Sequence, residues 1–426
     1  MITEIEQAPA RPRGRRVSFA LILAALVLII LSFVRWVTGA NDLTSSGTFS
    51  ATLRVSMPIL LAGLGGLYAE RAGVVNIGLE GMMILGTWFG AWAGWHWGPW
   101  AGVAFGMAGG AAGGLIHAVA TVTFGIDHII SGVAINILAA GVTRFLSVIA
   151  YTNVPGAGIT QSPQVRGSIP DVNLPVVAGG HLFGVKTPDM FGWIERHHWF
   201  LVSDTGALLK GVTSNVAVLT LAAVALIPIT WWVLWRTAFG LRLRSVGEHP
   251  VAAESLGVPV YTMKYLAVTI SGALAGLGGA FLVFEEAGIY REGQTAGRGF
   301  IALAALIFGN WRPLGVAAGA GLFGYADALQ LRSNSSILAL LLFVAIVMGA
   351  AATWFLVRRR IGPAVAVAVL AGLVFWWHTA ANRVANEWVA ITPYVVTLAV
   401  LALAAQRLRP PAADGRRYRK GQVETV

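Results

Sequence analysis

The chain has 426 residues, of which 56% are hydrophobic and only 12% charged, about half the charged share of a soluble globular domain. Such a composition excludes water as the main solvent and assigns the length to membrane spans rather than to several soluble domains. The formal net charge of +11 is divided among short basic clusters between apolar runs. This arrangement indicates topology signals and not a nucleic-acid surface.

The basic N-terminus, residues 1–16, carries Arg11, Arg13, Arg15 and Arg16 before an apolar run from Val17 to Val34. That run exceeds the apolar core of a secretory signal, so an uncleaved first helix is expected. The transmembrane domain occupies 17–407. Its spans are placed at 17–37, 51–69, 74–95, 99–124, 128–150, 212–235, 264–284, 299–310, 313–332, 336–357, 361–380 and 391–407. The segment 299–310 is too short for a full crossing and, with Gly309 and Pro313 around it, reads as a broken or tilted helix. The fold class expected is an all-α polytopic membrane protein with about 10–12 transmembrane helices. Placing both termini in the cytoplasm puts nineteen of the thirty Lys and Arg residues there, including six in the stretch from Arg407 through the basic tail 408–426.

Two connections exceed a turn. The external loop 151–210 balances Asp171, Asp189, Glu195 and Asp204 against Arg166, Lys186, Arg196 and Lys210 and is rich in Pro and Gly. The cytoplasmic loop 236–263 contains a helical pattern, with Pro250 at the start and Gly257 as the stop. Glycines recur every fourth position at Gly86, Gly90, Gly94 and Gly98, and again at Gly102, Gly106, Gly110 and Gly114. Such bare faces let helix backbones approach closely in lipid. By contrast, Gly319-Ala-Gly321-Leu-Phe-Gly324 matches the dinucleotide fingerprint only as letters, because it lies inside an apolar span and not between a strand and a helix.

The four lysines, Lys186, Lys210, Lys264 and Lys420, never follow glycine, so the chain has no Walker phosphate loop. There is no cysteine, no His-Glu-x-x-His and no nucleophile elbow, and the adjacent His197 and His198 read as polar loop surface. No metal site, cofactor or enzymatic activity is expected. Ionisable and amide groups within spans are costly and mark bundle interiors or aqueous paths. Asn76, Glu80, Asn136, Arg144 and Asp327 are such groups; of these Asn76, Glu80 and Asn136 are candidates for a substrate pathway, with a partnered structural carboxyl as the competing reading of Glu80.

Tyr68-Ala-Glu-Arg-Ala-Gly-Val-Val-Asn-Ile-Gly-Leu-Glu-Gly-Met-Met83 resembles the signature of permeases in the branched-chain amino acid, ribose and nucleoside importer superfamily of ABC transporters. Phe239 to Pro259, Ser271 to Gly279 and Ala296 to Gly309 resemble the nucleoside and simple-sugar permeases of that group. The similarity spans roughly residues 55–335. It implies a permease subunit of an ATP-driven importer for nucleosides or related simple sugars, in a bacterial cell membrane. A branched-chain amino acid permease is the second reading and an ion-coupled secondary transporter the third. The resemblance also implies an ABC ATPase subunit that uses the ATP, a second permease subunit forming a heterodimer, and an extracytoplasmic solute-binding lipoprotein. Pro250, Ala252, Ala253, Glu254, Ser255, Leu256 and Gly257 would then couple to the ATPase.

Overall fold

The computed structural model of the protein describes residues 14–175, 177–182, 184–330, 334–380 and 408–421. The helices in chain order are α1 (Gly14–Thr38), α2 (Ser46–Arg71), α3 (Leu79–Trp97), α4 (Pro99–Ala118, continued by a π turn Val119–Thr123), α5 (His128–Tyr151), α6 (Met190–Arg196), α7 (Val202–Thr213) and α8 (Val218–Arg236). Then come α9 (Ala238–Glu248), α10 (Pro250–Ser255), α11 (Val260–Phe281, ending in a π turn Leu282–Ala287), α12 (Arg298–Phe308), α13 (Pro313–Gln330), α14 (Asn334–Val357) and α15 (Ile361–Ala380). Eleven of the twelve expected spans coincide with helices. The twelfth, 391–407, lies outside the described residues. Seven of the described helices are long and apolar enough to cross a membrane, which together with the near absence of sheet makes this an all-α polytopic membrane protein.

The bundle is built around α2 and α11. In these two, 72% and 78% of the apolar span is buried, against 6% in α14 and α15. A helix apolar on every side belongs inside a bundle or against lipid, and glycine decides which. Gly86 of α3 and Gly106 and Gly110 of α4 lie against Gly276 of α11, while Gly110 and Gly114 also lie against Gly272. A Cβ at Gly276 would enter the backbone of α4. Gly90 and Gly102 face each other across α3 and α4, and Gly94 and Gly102 leave the space filled by the Phe284 ring. Gly98 has a different use: at φ +92° it turns the chain between α3 and α4. On the opposite flank α12 and α13 form an antiparallel hairpin against α2, in which Gly309 meets Gly315 and Gly319 meets Ala305. Two of the three glycines of the apparent fingerprint serve these contacts: Gly319 lies on Ala305 and Gly324 on Ser56 of α2, whereas Gly321 faces open space.

Three expectations change in detail. The third span begins at Leu79 and not at residue 74, because α2 stops where Gly73 takes φ +78°, and residues 72–78 cross as non-helical chain. The loop 151–210 holds structure of its own, namely α6, most of α7, one two-stranded sheet (His181–Leu182 with Val185–Lys186) and a strand, Asp171–Val172, that pairs with Val216–Ala217 just before α8. Asp189 caps α6; burial pushes its carboxyl up, but the Gly192 N–H and the Lys210 ammonium outweigh that and hold it below its ordinary value. The loop 236–263 holds two helices, α9 and α10, and α10 ends at a left-handed Gly257 (φ +79°).

Candidate functional site

Two interruptions of the helical pattern meet inside the bundle. After α2, residues 72–78 run past α5: the Val75 N–H donates to His128 Nδ1 (3.2 Å), and the chain then reaches the level of Asn136. Asn136 lies about 12 Å along α5 from His128 at 1.5 Å per residue. Helix α3 therefore begins within the bundle. Likewise α12 has only 11 residues, about 16 Å against a hydrocarbon core of about 30 Å, so its N-terminus also lies inside. Residues 288–297 descend to it from the end of α11.

Glu80, in the first turn of α3, joins the two N-termini. Its Oε1 accepts from Thr295 Oγ1 (2.6 Å) and Gly297 N (2.9 Å), and its Oε2 from Gly299 N (2.7 Å). The first N–H groups of a helix have no intrahelical acceptor and carry the positive end of its dipole, so a carboxylate placed there satisfies both needs. Gly299 makes the approach possible, since a Cβ would collide with the backbone of Glu80. Gly297, at φ +78°, lets the chain turn into the helix.

Asn76 and Asn136 are engaged in the same way. Asn76 Nδ2 donates to Ser271 Oγ of α11 (2.9 Å), and its Oδ1 accepts from Gly78 N (3.1 Å). Asn136 Oδ1 accepts from Gly81 N (2.7 Å), and its Nδ2 donates to Ile77 O (3.1 Å). All three side chains thus fasten the break before α3 to α5, α11 and α12. Arg144 pairs with Glu292 (3.3 Å), and Asp327 with Arg298 (3.4 Å), which also faces Glu286 (3.7 Å). The descending segment is zipped to the loop after α5: Ser162 N donates to Tyr290 O (3.0 Å), Tyr290 N to Ser162 Oγ (2.9 Å), and Glu292 N to Thr160 O (2.8 Å).

Sequence reading missed Thr295, Gly297, Arg298 and Gly299, which stand more than 200 positions from Glu80. The available signal was the glycine pair flanking Arg298 at the start of an apolar run, a place where backbone must come close to something.

At the opposite end of the bundle the ends of α2 and α9, the start of α11 and the α12–α13 turn converge. The Arg71 guanidinium donates to Trp311 O (2.7 and 3.2 Å), lies over the Trp235 ring (5.5 Å) and pairs with Glu248 (3.8 Å). Trp311 Nε1 donates to Glu70 Oε2. Gly247 of α9 sits on the Arg71 carbonyl, where no side chain fits. Helix α10 projects from this junction with Ala253 buried and Leu256 at its tip 85% exposed. Of the coupling residues expected from the sequence, Pro250 to Ser255 form α10, with Leu256 and Gly257 as its termination.

Residues 48–351 match the family described as branched-chain amino acid transport system, permease component. The guanosine ABC transporter permease protein NupQ of Bacillus subtilis is 36% identical over 66% of this chain and 81% of its own length. The nucleoside ABC transporter permease protein NupC of Lactococcus lactis is 31% identical over 86% of this chain and 95% of its own. A protein of Haloferax volcanii named, provisionally, as a glucose ABC transporter permease is 35% identical over 70% and 80%. No solved structure matches the chain. The match spans α2 through most of α14 and contains both helix breaks, the glycine contacts and the projecting α10, and the chain belongs to this family of membrane permeases, which are transport components and not enzymes.

Proposed function

We propose that this chain is the permease subunit of an ATP-driven ABC importer and moves nucleosides or related simple sugars by alternating access. The similarity to guanosine and nucleoside permeases over the whole interrupted bundle carries this reading. Permeases of this family work with ATPase and solute-binding partners. Here the partners are an ABC ATPase that consumes the ATP, a second permease subunit paired as a heterodimer, and an extracytoplasmic lipoprotein that delivers substrate to the 151–210 side. The α9–α10 end faces the cytoplasm, in keeping with the basic residues gathered there. Pro250, Ala252, Ala253, Glu254, Ser255, Leu256 and Gly257 form the contact with the ATPase.

In this reading Asn76, Glu80 and Asn136 serve the pathway by position. They hold two half-helices end to end, and a shift of α10 reaches that junction through α2 and the α12–α13 hairpin. Bundles with two discrete arrangements transmit motion in this way. The test is uptake of labelled guanosine, ribose and leucine by cells with and without the gene. Guanosine uptake that falls to background on deletion, with leucine and ribose unchanged, supports the proposal. Lost leucine uptake with guanosine intact would replace it with the branched-chain amino acid reading that the family description favours.

A further inference from the structure

Of the basic tail 408–426 expected from the sequence, residues 408–421 are built into the α9–α10 end of the bundle. Six backbone hydrogen bonds fix the path. Arg409 N donates to Asn310 Oδ1 in the α12–α13 turn (2.9 Å), Ala412 N to Glu248 Oε2 (3.1 Å), and Ala413 N to Gly247 O at the end of α9 (2.9 Å). Asp414 N and Arg416 N close turns onto Pro411 O and Ala413 O (3.1 Å each), and Gly421 N reaches Glu254 Oε2 of α10 (3.4 Å). Pro411, Ala413 and Tyr418 point inward and are buried, while Arg409, Arg416 and Arg417 face out. The Tyr418 ring lies against Tyr261 (5.6 Å) and beneath Lys264 Nζ (6.0 Å) and packs with Val246, Ala253, Val260 and Met263. The Ala413 carbonyl rests on Gly73, and the Asp414 carboxyl reaches the Glu70 carboxyl at the inner end of α2.

One short segment therefore touches α10, the end of α9, the end of α2, the start of α11 and the α12–α13 turn. Those are the parts that would have to move together for a push on α10 to reach the junction at Glu80. Without this segment, α10 hangs from α9 and α11 by its two short connections and the buried face of Ala253. A lever so attached yields when pushed.

We infer that residues 408–421 are a strap that fixes α9–α10 to the inner ends of α2 and the α12–α13 hairpin, so that displacement of α10 is transmitted into the bundle and not absorbed at its root. The inference rests on the permease reading. It assigns positioning residues, Ala413 and Tyr418 above all, outside the region that matches the family.

The test uses the full transporter complex in liposomes loaded for guanosine transport. It compares the whole chain, a chain ending at Leu408, Ala413→Pro, which removes the N–H that holds Gly247, and Ala413→Gly, which keeps it. Three quantities are read: the ATPase retained on purification, ATP hydrolysed, and guanosine moved per ATP. The strap predicts unchanged ATPase retention and hydrolysis in all four. Guanosine moved per ATP falls by ~10-fold in the truncated chain, a loss on the scale of coupling changes carried by a contact network. Ala413→Pro falls in the same direction, and Ala413→Gly stays with the whole chain. A truncated chain that transports like the whole one overturns the strap, as does a loss of transport that only follows loss of ATPase binding. If the whole chain is itself not driven by ATP, the permease reading fails, and the strap with it.

Discussion

Glu80 is the residue on which the interior junction depends. It accepts three hydrogen bonds from α12 and the segment before it, and it is buried. Removing the carboxylate leaves two helix-terminal N–H groups and the Thr295 hydroxyl without acceptors in an apolar interior. Each such group costs about 1–3 kcal/mol. Glu80→Ala is therefore expected to destabilise the purified protein by on the order of 3 kcal/mol. Glu80→Gln is expected to cost less, since its carbonyl still accepts while its amide opposes a donor. Thermal unfolding of the two variants in detergent measures both, and an unchanged midpoint for Glu80→Ala would remove Glu80 from this role. At this scale the sequence was half legible. A lone carboxylate in an apolar run stands out because hydrocarbon penalises it. Its partners are backbone groups and a threonine, which no composition or spacing marks.

Among the elements, the lever and the strap differ in how they show in sequence. Helix α10 is marked locally, by Pro250 in its first turn and Gly257 after its end. Helix α9 is hidden because its apolar positions are few and its arginines read as loop charge. The strap shows no periodicity at all, and its meaning comes from contacts with residues 70–75, 247–264 and 310, far away in the chain. Its attachment carries a pH dependence. Burial pushes the Asp414 carboxyl up to about 7, against the opposing pull of the Lys264 ammonium, the Gly415 N–H and the Arg71 guanidinium, with the Glu70 carboxyl beside it. A released strap returns Asp414 to an ordinary carboxylate, near 3.9, so the docked strap binds the proton more tightly than the free one. Docking strength is therefore fully present below that ordinary value and is lost as pH rises through about 7. Hydrogen exchange of residues 408–421, corrected for its intrinsic pH dependence, is expected to show stronger protection at pH 5.5 than at pH 8, whereas Asp414→Asn flattens the difference. Equal protection at the two pH values in the native protein would separate Asp414 from the attachment.

Over the whole molecule, span positions were legible and their ranks were not. In lipid, a helix facing the bundle and one facing the acyl chains are both apolar, so hydropathy finds the spans without saying which are central. The glycines say more: they crowd α2, α3, α4 and α11, where backbones touch, and are sparse in α14 and α15. Helix α1 is peripheral as well. Its tie to the rest runs through the cluster of Leu31, Val34, Ala40, Leu43, Leu329 and Leu340 and through one buried ion pair, Arg35 with Asp204 of α7 (3.0 Å). Thr44 donates to the same Asp204 oxygen. The side chains of the pair are 6% and 1% exposed, so neither charge can be left alone without a large desolvation penalty. Asp204→Ala is expected to cost about 3–5 kcal/mol, because the guanidinium stays buried without its partner. Replacing both residues by leucine exchanges the pair for apolar contact and is expected to cost far less, since such swaps are often close to neutral. The measurement is the unfolding midpoint in detergent for Asp204→Ala, Arg35→Leu and the Arg35→Leu, Asp204→Leu double variant. Recovery in the double variant identifies the pair as a specific tie between α1 and α7. A double variant as damaged as Asp204→Ala would instead make the hydrogen bonds from Thr44 to Asp204 and from Arg35 to the His198 and Trp199 carbonyls the contacts that hold this corner together.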